Sequence, residues 1–237
     1  MTILYSKLAE IYHEMYQKLF DYGKEFEFYD KYLKEFGCRS VLETGCGTGT
    51  LGKYLMDAGF DYTGLDLYQE MIDIARRENP SMNFIQGDMR DLNLDSKFDS
   101  VIITGRTFAY LTEDREVNDA LKGINDLLES NGKLIFDSFD AETIFENLTE
   151  DSEQKVELDD KTITRINRSR RTSDTAGTWY WEATYIIEKD GKKQEYRDKT
   201  ILRTFDQDEI EQYLKQNDFR ILEVINEQVL VIIAEKL

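Results

Sequence analysis

Residues 41–55 read VLETGCGTGTLGKYL: a short apolar run, alternating glycines at 45, 47 and 49, then a segment of helical character. A strand, a glycine-rich turn and a helix start, in that order, present bare backbone N–H groups and the positive end of a helix dipole to a ligand. As a plain turn, the same three glycines would lower stability with no compensating contact. A dinucleotide fold uses this arrangement for pyrophosphate, and its fingerprint places glycine first, third and sixth. Here the sixth position is Thr50, and the glycines fall first, third and fifth. The residues beyond the loop must therefore decide the ligand.

Apolar strands alternate with amphipathic helices on either side of this stretch. SVLETG, DYTGLD, MNFIQGD, FDSVIIT and GKLIFDSF read as strands, and TLGKYLMDAG, YQEMIDIARREN and EDREVNDALKGINDLLES as the helices between them. That alternation predicts a parallel, doubly wound α/β sheet of Rossmann-like type. From about residue 155 the period changes. WYWEATYIIEK (179–189) places Trp179, Trp181, Ala183, Tyr185 and Ile187 on one face, and Asp190-Gly191 supplies a hairpin turn. With TITRINRSRRT before it and QEYRDKTILRTF after it, this predicts an antiparallel β-meander inserted in the α/β order. A final helix, DQDEIEQYLKQND, leads to FRILEVIN and QVLVIIAEKL, whose short connection predicts antiparallel pairing at the sheet edge. Ahead of the first strand, Leu4, Leu8, Ile11, Met15 and Leu19 recur at helical spacing, so two helices form an N-terminal lid. The expected organisation is a lid over 1–37, a core over 38–140 and 205–237, and a β insertion over 141–204.

The whole-chain balance narrows the function. A chain of 237 residues buries a sizeable core without staples, and its longest apolar run, VLVIIA at 229–234, falls far below the roughly 18 residues of a membrane span. The N-terminus mixes charges among its apolar residues and lacks a signal-peptide core, which points to a cytoplasmic protein. Cys38 and Cys46 read as reduced thiols, and no Cys/His cluster offers a metal site. The formal charge of -18 argues against a long nucleic acid as partner. Charge is uneven, however: residues 155–204 carry twelve Lys/Arg against nine Asp/Glu. RINRSRR (165–171), close to the two tryptophans, suits an anionic substrate such as a nucleotide-linked sugar, and equally a solvated strand face or a homodimer contact through the insertion.

Asp66 ends the second strand about twenty residues past the loop, where an acid can accept both hydroxyls of a ribose. The same residue is also placed to cap the helix beginning at Tyr68. Asp88, in GDM after the third strand, can accept from an exocyclic amine or serve as a turn aspartate. This pair implies an adenosine-like ligand.

ETGCGTG, the LD ending at Asp66 and QGDMRDL resemble the motifs of class I S-adenosylmethionine-dependent methyltransferases, strongly over 41–138 and in element order through 237. Tyr5, Ala9, Tyr12 and Tyr16, the GDMRDL box and the inserted meander further resemble the small-molecule branch containing aminosugar N,N-dimethyltransferases. The resemblance implies a seven-stranded methyltransferase sheet with S-adenosylmethionine as cofactor and the insertion as a substrate cap. It implies Glu43 near the methionyl ammonium, with Gly45, Cys46, Gly47 and Gly49 under the methionine and ribose. Asp66 would take the ribose, Leu67 and Met71 would flank the adenine, Asp88 and Met89 would read its edge, and Thr104 would complete the cofactor set. Carboxylates suit a ligand bearing an ammonium and a sulfonium better than a pyrophosphate.

Because the sulfonium is already activated, the protein mainly supplies alignment. Tyr12 is the best placed tyrosine to face the sulfonium, although ordinary packing also explains Tyr5, Tyr12 and Tyr16. Arg106 and Tyr110, in TGRTFAYL after the fourth strand, are expected to position the acceptor, with Gly105 passing close to the cofactor and Asp137 and Phe139 as further pocket residues. An acidic or aromatic pair is usual in N-methylating relatives near that point, so Arg106 sets this chain apart. His13, the sole histidine, is a possible base but suits an exposed lid position better. The expected function is methyl transfer to a small-molecule acceptor, most readily at nitrogen. Two alternatives keep the cofactor: transfer to RNA or protein, disfavoured by the acidic surface, and a non-catalytic binding protein, disfavoured by the intact loop and lid.

Overall fold

A computed structural model describes residues 2–147, 151–172, 177–226 and 229–237. The chain opens with two helices, α1 (Ala9–Leu19) and α2 (Tyr22–Glu35), the second capped by the Asp21 side chain accepting from Lys24 N. Then come β1 (Ser40–Thr44), α3 (Thr50–Asp57), β2 (Asp61–Asp66), α4 (Gln69–Glu78), β3 (Asn83–Gln86) and β4 (Phe98–Ile103). A single 3-10 turn, Thr107–Tyr110, precedes α5 (Asp114–Leu127) and β5 (Leu128–Ser138). The insertion holds α6 (Ala141–Asn147), β6 (Ser152–Glu157), β7 (Thr162–Arg171), β8 (Thr178–Lys189) and β9 (Lys192–Arg203). The chain closes with α7 (Gln207–Gln216), β10 (Phe219–Asn226) and β11 (Leu230–Lys236).

The strands form two sheets, a seven-stranded one ordered β10-β11-β5-β4-β1-β2-β3 and a four-stranded one ordered β6-β7-β8-β9. In the large sheet β1 pairs in parallel with both β2 and β4, while β11 runs antiparallel to β5 and to β10. The order reverses between β1 and β4, so the connections leaving those two strands diverge and open a crevice at their carboxyl ends. Ligands bind open α/β sheets at that switch point. Buried apolar side chains fill both faces of the sheet: Leu42, Val101, Ile103, Leu134 and Phe136 on one, Val41, Ile102, Ile135 and Ile233 on the other.

Three elements differ from the sequence pattern. The helix expected over 113–130 stops at Leu127, because Leu128 turns extended and opens β5. Leu127 and Leu128 are both buried, so the apolar pattern carries no mark of the change. The pattern marks neither helix α6 nor strand β6; β6 buries only Val156 fully, which leaves little alternation to detect. The hairpin turn behaves as expected, with Asp190 and Gly191 both at positive φ, 51° and 69°.

The N-terminal segment is built into the core. Leu4, Leu8 and Met15 are buried against Ile163, Ala183, Tyr185 and Ile187 of the small sheet, while Ala9 packs on Met71 and Ile74 of α4. Asp198 of β9 fixes the start of the chain, accepting from the Thr2 hydroxyl and from the backbone N–H groups of Ile3 and Leu4. This segment therefore packs on the small sheet and on α4, and its Tyr5, Tyr12 and Tyr16 line the cavity.

Helix α3 sits tightly on β2 because position 52 has no side chain. A Cβ at Gly52 would collide with the Tyr62 ring. Gly52→Ala is expected to destabilise the protein by about 1–3 kcal/mol through overpacking, read by urea denaturation; an unchanged midpoint would show that α3 can shift freely.

Candidate active site

The turn from β1 to α3 takes a path that requires glycine. Gly45, Gly47 and Gly49 have φ of 77°, 54° and 73°, in the left-handed region. The turn is pinned to β2, for Gly45 N and Cys46 N both donate to Leu65 O, at 2.7 and 3.0 Å. Asp66 completes the joint: one carboxylate oxygen accepts from Gly47 N and the other from Tyr68 N, each at 2.9 Å. Asp66 therefore holds the loop and the start of α4 together while still lining the cavity. Burial raises its pKa to about 6, against the backbone donors that favour its charged form.

Glu43 lies deeper, at the end of β1 and 2% exposed. Its two oxygens accept from the Tyr62 hydroxyl at 2.5 Å and the Thr104 hydroxyl at 2.7 Å. Burial pushes its pKa to about 7, and the charge of Asp66 adds to the rise. Asp88 is engaged by the Arg90 guanidinium, which also reaches Glu116. Although partial burial is the largest influence on Asp88 and opposes it, the Arg90 bonds hold its pKa below the ordinary value.

Tyrosines form the roof. Tyr12 stacks on Tyr16 with ring centroids 4.2 Å apart and meets Tyr5 edge-on at 5.4 Å. The Tyr5 and Tyr110 hydroxyls share a 2.8 Å hydrogen bond. Burial lifts Tyr5 and Tyr12 well above the usual phenol range, so both remain neutral. The outer face of Gly47 looks directly at this layer, since the nearest atom to a Cβ built there is the Tyr12 hydroxyl at 3.7 Å.

The cavity, about 900 Å³, continues from the loop past Gly105, Arg106 and Phe139 to Trp179, Trp181 and Arg165 on the small sheet. Arg106 takes a left-handed conformation at φ 61°, and its backbone N–H donates to buried Asp137 at 2.8 Å. Arg165 donates to the Tyr16 hydroxyl at 2.8 Å and to Gln154, and lies over the Tyr16 and Trp181 rings. Arg168 and Arg170 of the same strand are exposed and paired with Asp151 and Glu182.

The structure thus brings Tyr12, Glu43, Gly45, Cys46, Gly47, Asp66, Leu67, Asp88, Met89, Thr104, Arg106, Tyr110 and Phe139 to one cavity. Gly49 stands just outside the lining, its α-carbon against Phe84. Met71, expected beside an adenine, is 1% exposed, is not among the lining residues and packs in a cluster with Tyr5, Tyr12 and Tyr68. Asp137 and His13 are likewise not lining residues; His13 Nδ1 lies 3.0 Å from the Thr48 hydroxyl. The sequence pattern does not single out Glu25, Tyr22 or Arg90, which also line the cavity. Glu25 sits on an amphipathic helix among other acids, and only its inward aim distinguishes it.

This geometry fits S-adenosylmethionine. Buried carboxylates beside the glycine turn favour a cationic ligand and would repel a pyrophosphate, and the aromatic roof offers neutral π faces to a sulfonium. Comparison with known proteins agrees. Residues 41–132 match the model of a methyltransferase domain family. A protein of Geobacillus sp. (strain WCH70) assigned as a methyltransferase is 30% identical over 208 residues, covering 83% of this chain and 81% of that one. The dTDP-3-amino-3,4,6-trideoxy-alpha-D-glucopyranose N,N-dimethyltransferase of Streptomyces venezuelae is 28% identical, covering 73% of this chain and 71% of that one. Among solved structures, Streptomyces venezuelae DesVI superposes with a TM-score of 0.87 at 24% identity, covering 97% of this chain and 98% of that one. The sugar N-methyltransferase KedS8 from Streptoalloteichus sp. gives 0.85 at 22% identity, covering 95% and 92%. The fold and site define a class I methyltransferase. The chain belongs to the S-adenosylmethionine-dependent methyltransferase family.

The raised carboxyls set a pH dependence. Unfolded, Glu43 and Asp66 ionise near pH 4; folded, they do so near 7 and 6. Each contribution is full below pH ~4 and is lost as pH rises through the folded value. Glu43→Gln is therefore expected to lose less stability than the native protein between pH 5 and 8, by on the order of 2 kcal/mol. Parallel losses in urea titrations of the two proteins would contradict this.

Proposed function

We propose that the protein transfers a methyl group from S-adenosylmethionine to the amine of a small acceptor, an amino sugar carried on an anionic group. The observation that carries this reading is the continuity of the cavity. It joins the loop beneath the tyrosine roof to a chamber walled by Trp179, Trp181 and Arg165, closed over by the N-terminal segment. A buried chamber of that size suits a small molecule rather than a macromolecule, and relatives named for methylation of dTDP-linked amino sugars support the choice of acceptor.

The cofactor supplies an already activated methyl group. The chain's share is placement. Asp66 holds the loop under Tyr12 through Gly47 N, and the bonded pair of Tyr5 and Tyr110 presents neutral rings and hydroxyls beside the acceptor chamber. Tyr12 and Tyr110 line the passage between the two halves as positioning groups. Methyl transfer needs the amine as a neutral nucleophile aligned with the methyl group, and holding that alignment is worth roughly 7–11 kcal/mol. Residues of the large and small sheets both line the passage.

Asp66→Ala is expected to raise the dissociation constant of S-adenosylhomocysteine about 10- to 100-fold by calorimetry. Incubation of the native protein with S-adenosylmethionine and a nucleotide-linked amino sugar is expected to yield S-adenosylhomocysteine and a sugar heavier by one or two methyl groups. No product with amino sugars, but label from the methyl group appearing in RNA or protein, would overturn the choice of acceptor.

A further inference from the structure

Two ionisable side chains that line the cavity, Glu25 of α2 and Arg106 of the turn after β4, are electrostatic neighbours, with Glu43 of β1 beside them. Among the described residues, the Arg106 guanidinium makes no side-chain hydrogen bond or ion pair; the Phe20 and Phe139 rings lie 6.0 Å from its central carbon. Other lining cations are engaged: Arg90 with Asp88 and Glu116, Lys199 with Glu182, and Arg165 with Tyr16 and Gln154. Glu25, in the first turn of α2, also lines the cavity, and among the described residues its carboxyl has neither a hydrogen bond nor an ion pair. Glu25 feels the charge of Arg106, yet the two do not close on each other. A carboxyl and a guanidinium that line one cavity without bonding each other suit a ligand group that bears both signs.

We propose that Glu25 and Arg106 clasp the amino-acid end of S-adenosylmethionine, Glu25 taking its α-ammonium alongside Glu43 and Arg106 its α-carboxylate. This rests on reading the cavity as an S-adenosylmethionine site and is independent of the acceptor. It moves Arg106 from the acceptor pocket, where the sequence pattern placed it, to the cofactor. The absence of an acidic or aromatic pair at this position then has a physical reason: the carboxylates come from α2 and β1, and the turn supplies the cation. Guanidinium groups match carboxylates in a planar, two-pronged geometry that a lysine lacks.

The arrangement also links binding to protons. Glu25 is surrounded by Glu43 from β1, Asp137 from β5, Arg106 from the turn after β4, and Tyr22 and Tyr29 from α2 itself. Burial first, then the neighbouring carboxyls, push its pKa to about 8, with Arg106 opposing. At pH 7 the free protein holds Glu25 mostly protonated. An α-ammonium beside it favours the carboxylate, so binding releases a proton.

Calorimetry on the full chain at pH 7, in two buffers of different ionisation enthalpy, tests this with two probes. S-Adenosylhomocysteine carries the amino-acid end, whereas 5′-methylthioadenosine keeps the adenosine and thioether without it. Arg106→Gln and Glu25→Gln are each expected to weaken S-adenosylhomocysteine about 10- to 100-fold while leaving 5′-methylthioadenosine unchanged, which also shows that the site is folded. Glu25→Gln is further expected to remove most of the native proton release. Variants that bind S-adenosylhomocysteine like the native protein, or that weaken both ligands alike, would overturn the clasp. A native protein that binds neither ligand would instead overturn the cofactor reading on which it rests.

Discussion

Two carboxyl groups buried at the ends of adjacent parallel strands set the terms for everything around them. Glu43 closes β1 and Asp66 closes β2, and neither can stay charged in such a place without donors. The protein meets that need partially: Tyr62 and Thr104 donate to Glu43, Gly47 N and Tyr68 N to Asp66. The same bonds fix the glycine turn, the start of α4 and the packing of α3 on β2, so the electrostatics and the backbone path are one construction. What the donors leave is a pair of acids whose charged forms still lack a cation. A ligand carrying positive charge resolves that deficit, and a polyphosphate deepens it.

The second sheet makes the crevice a chamber. It is attached to the core at two buried polar joints rather than by apolar contact alone. Asp198 gathers the first residues of the chain, and Arg203, at the end of β9, bonds Glu209 of α7 and Asp114 of α5. Removing one partner of a buried pair leaves the other without compensation, so these joints resist sliding of the cap over the core. Between them the N-terminal segment and α1 fill the space with Leu4, Leu8 and Met15 on one side and tyrosines on the other. The cavity is thus walled by residues of both sheets.

Much of this was legible in the sequence where a residue's type and spacing carry the physics. Strands and helices of the core announce themselves because each buries a regular face, and the glycine turn because only glycine tolerates its backbone. Asp66 was legible as a partner of the segment at Tyr68, and the structure adds its bond to Gly47 N and its place in the cavity lining. Elsewhere the signal was missing. Strand β6 is mostly exposed and short, and the change from α5 to β5 occurs between two buried leucines. The burial of Met71 was not legible, because the one-dimensional pattern gives its nearness to Asp66 but not its direction. Glu25 was invisible for the same reason, being one acid among several on α2 until the fold turns it toward the cavity.

A crystal structure of the protein grown with S-adenosylhomocysteine tests the central claim most directly. The ligand is expected to stretch over Gly45–Gly49, with its ribose hydroxyls on Asp66 and its adenine between Leu67 and the Asp88–Met89 turn. Density for the ligand elsewhere, or a crevice filled by the chain's own side chains beside an unbound nucleoside, would contradict it.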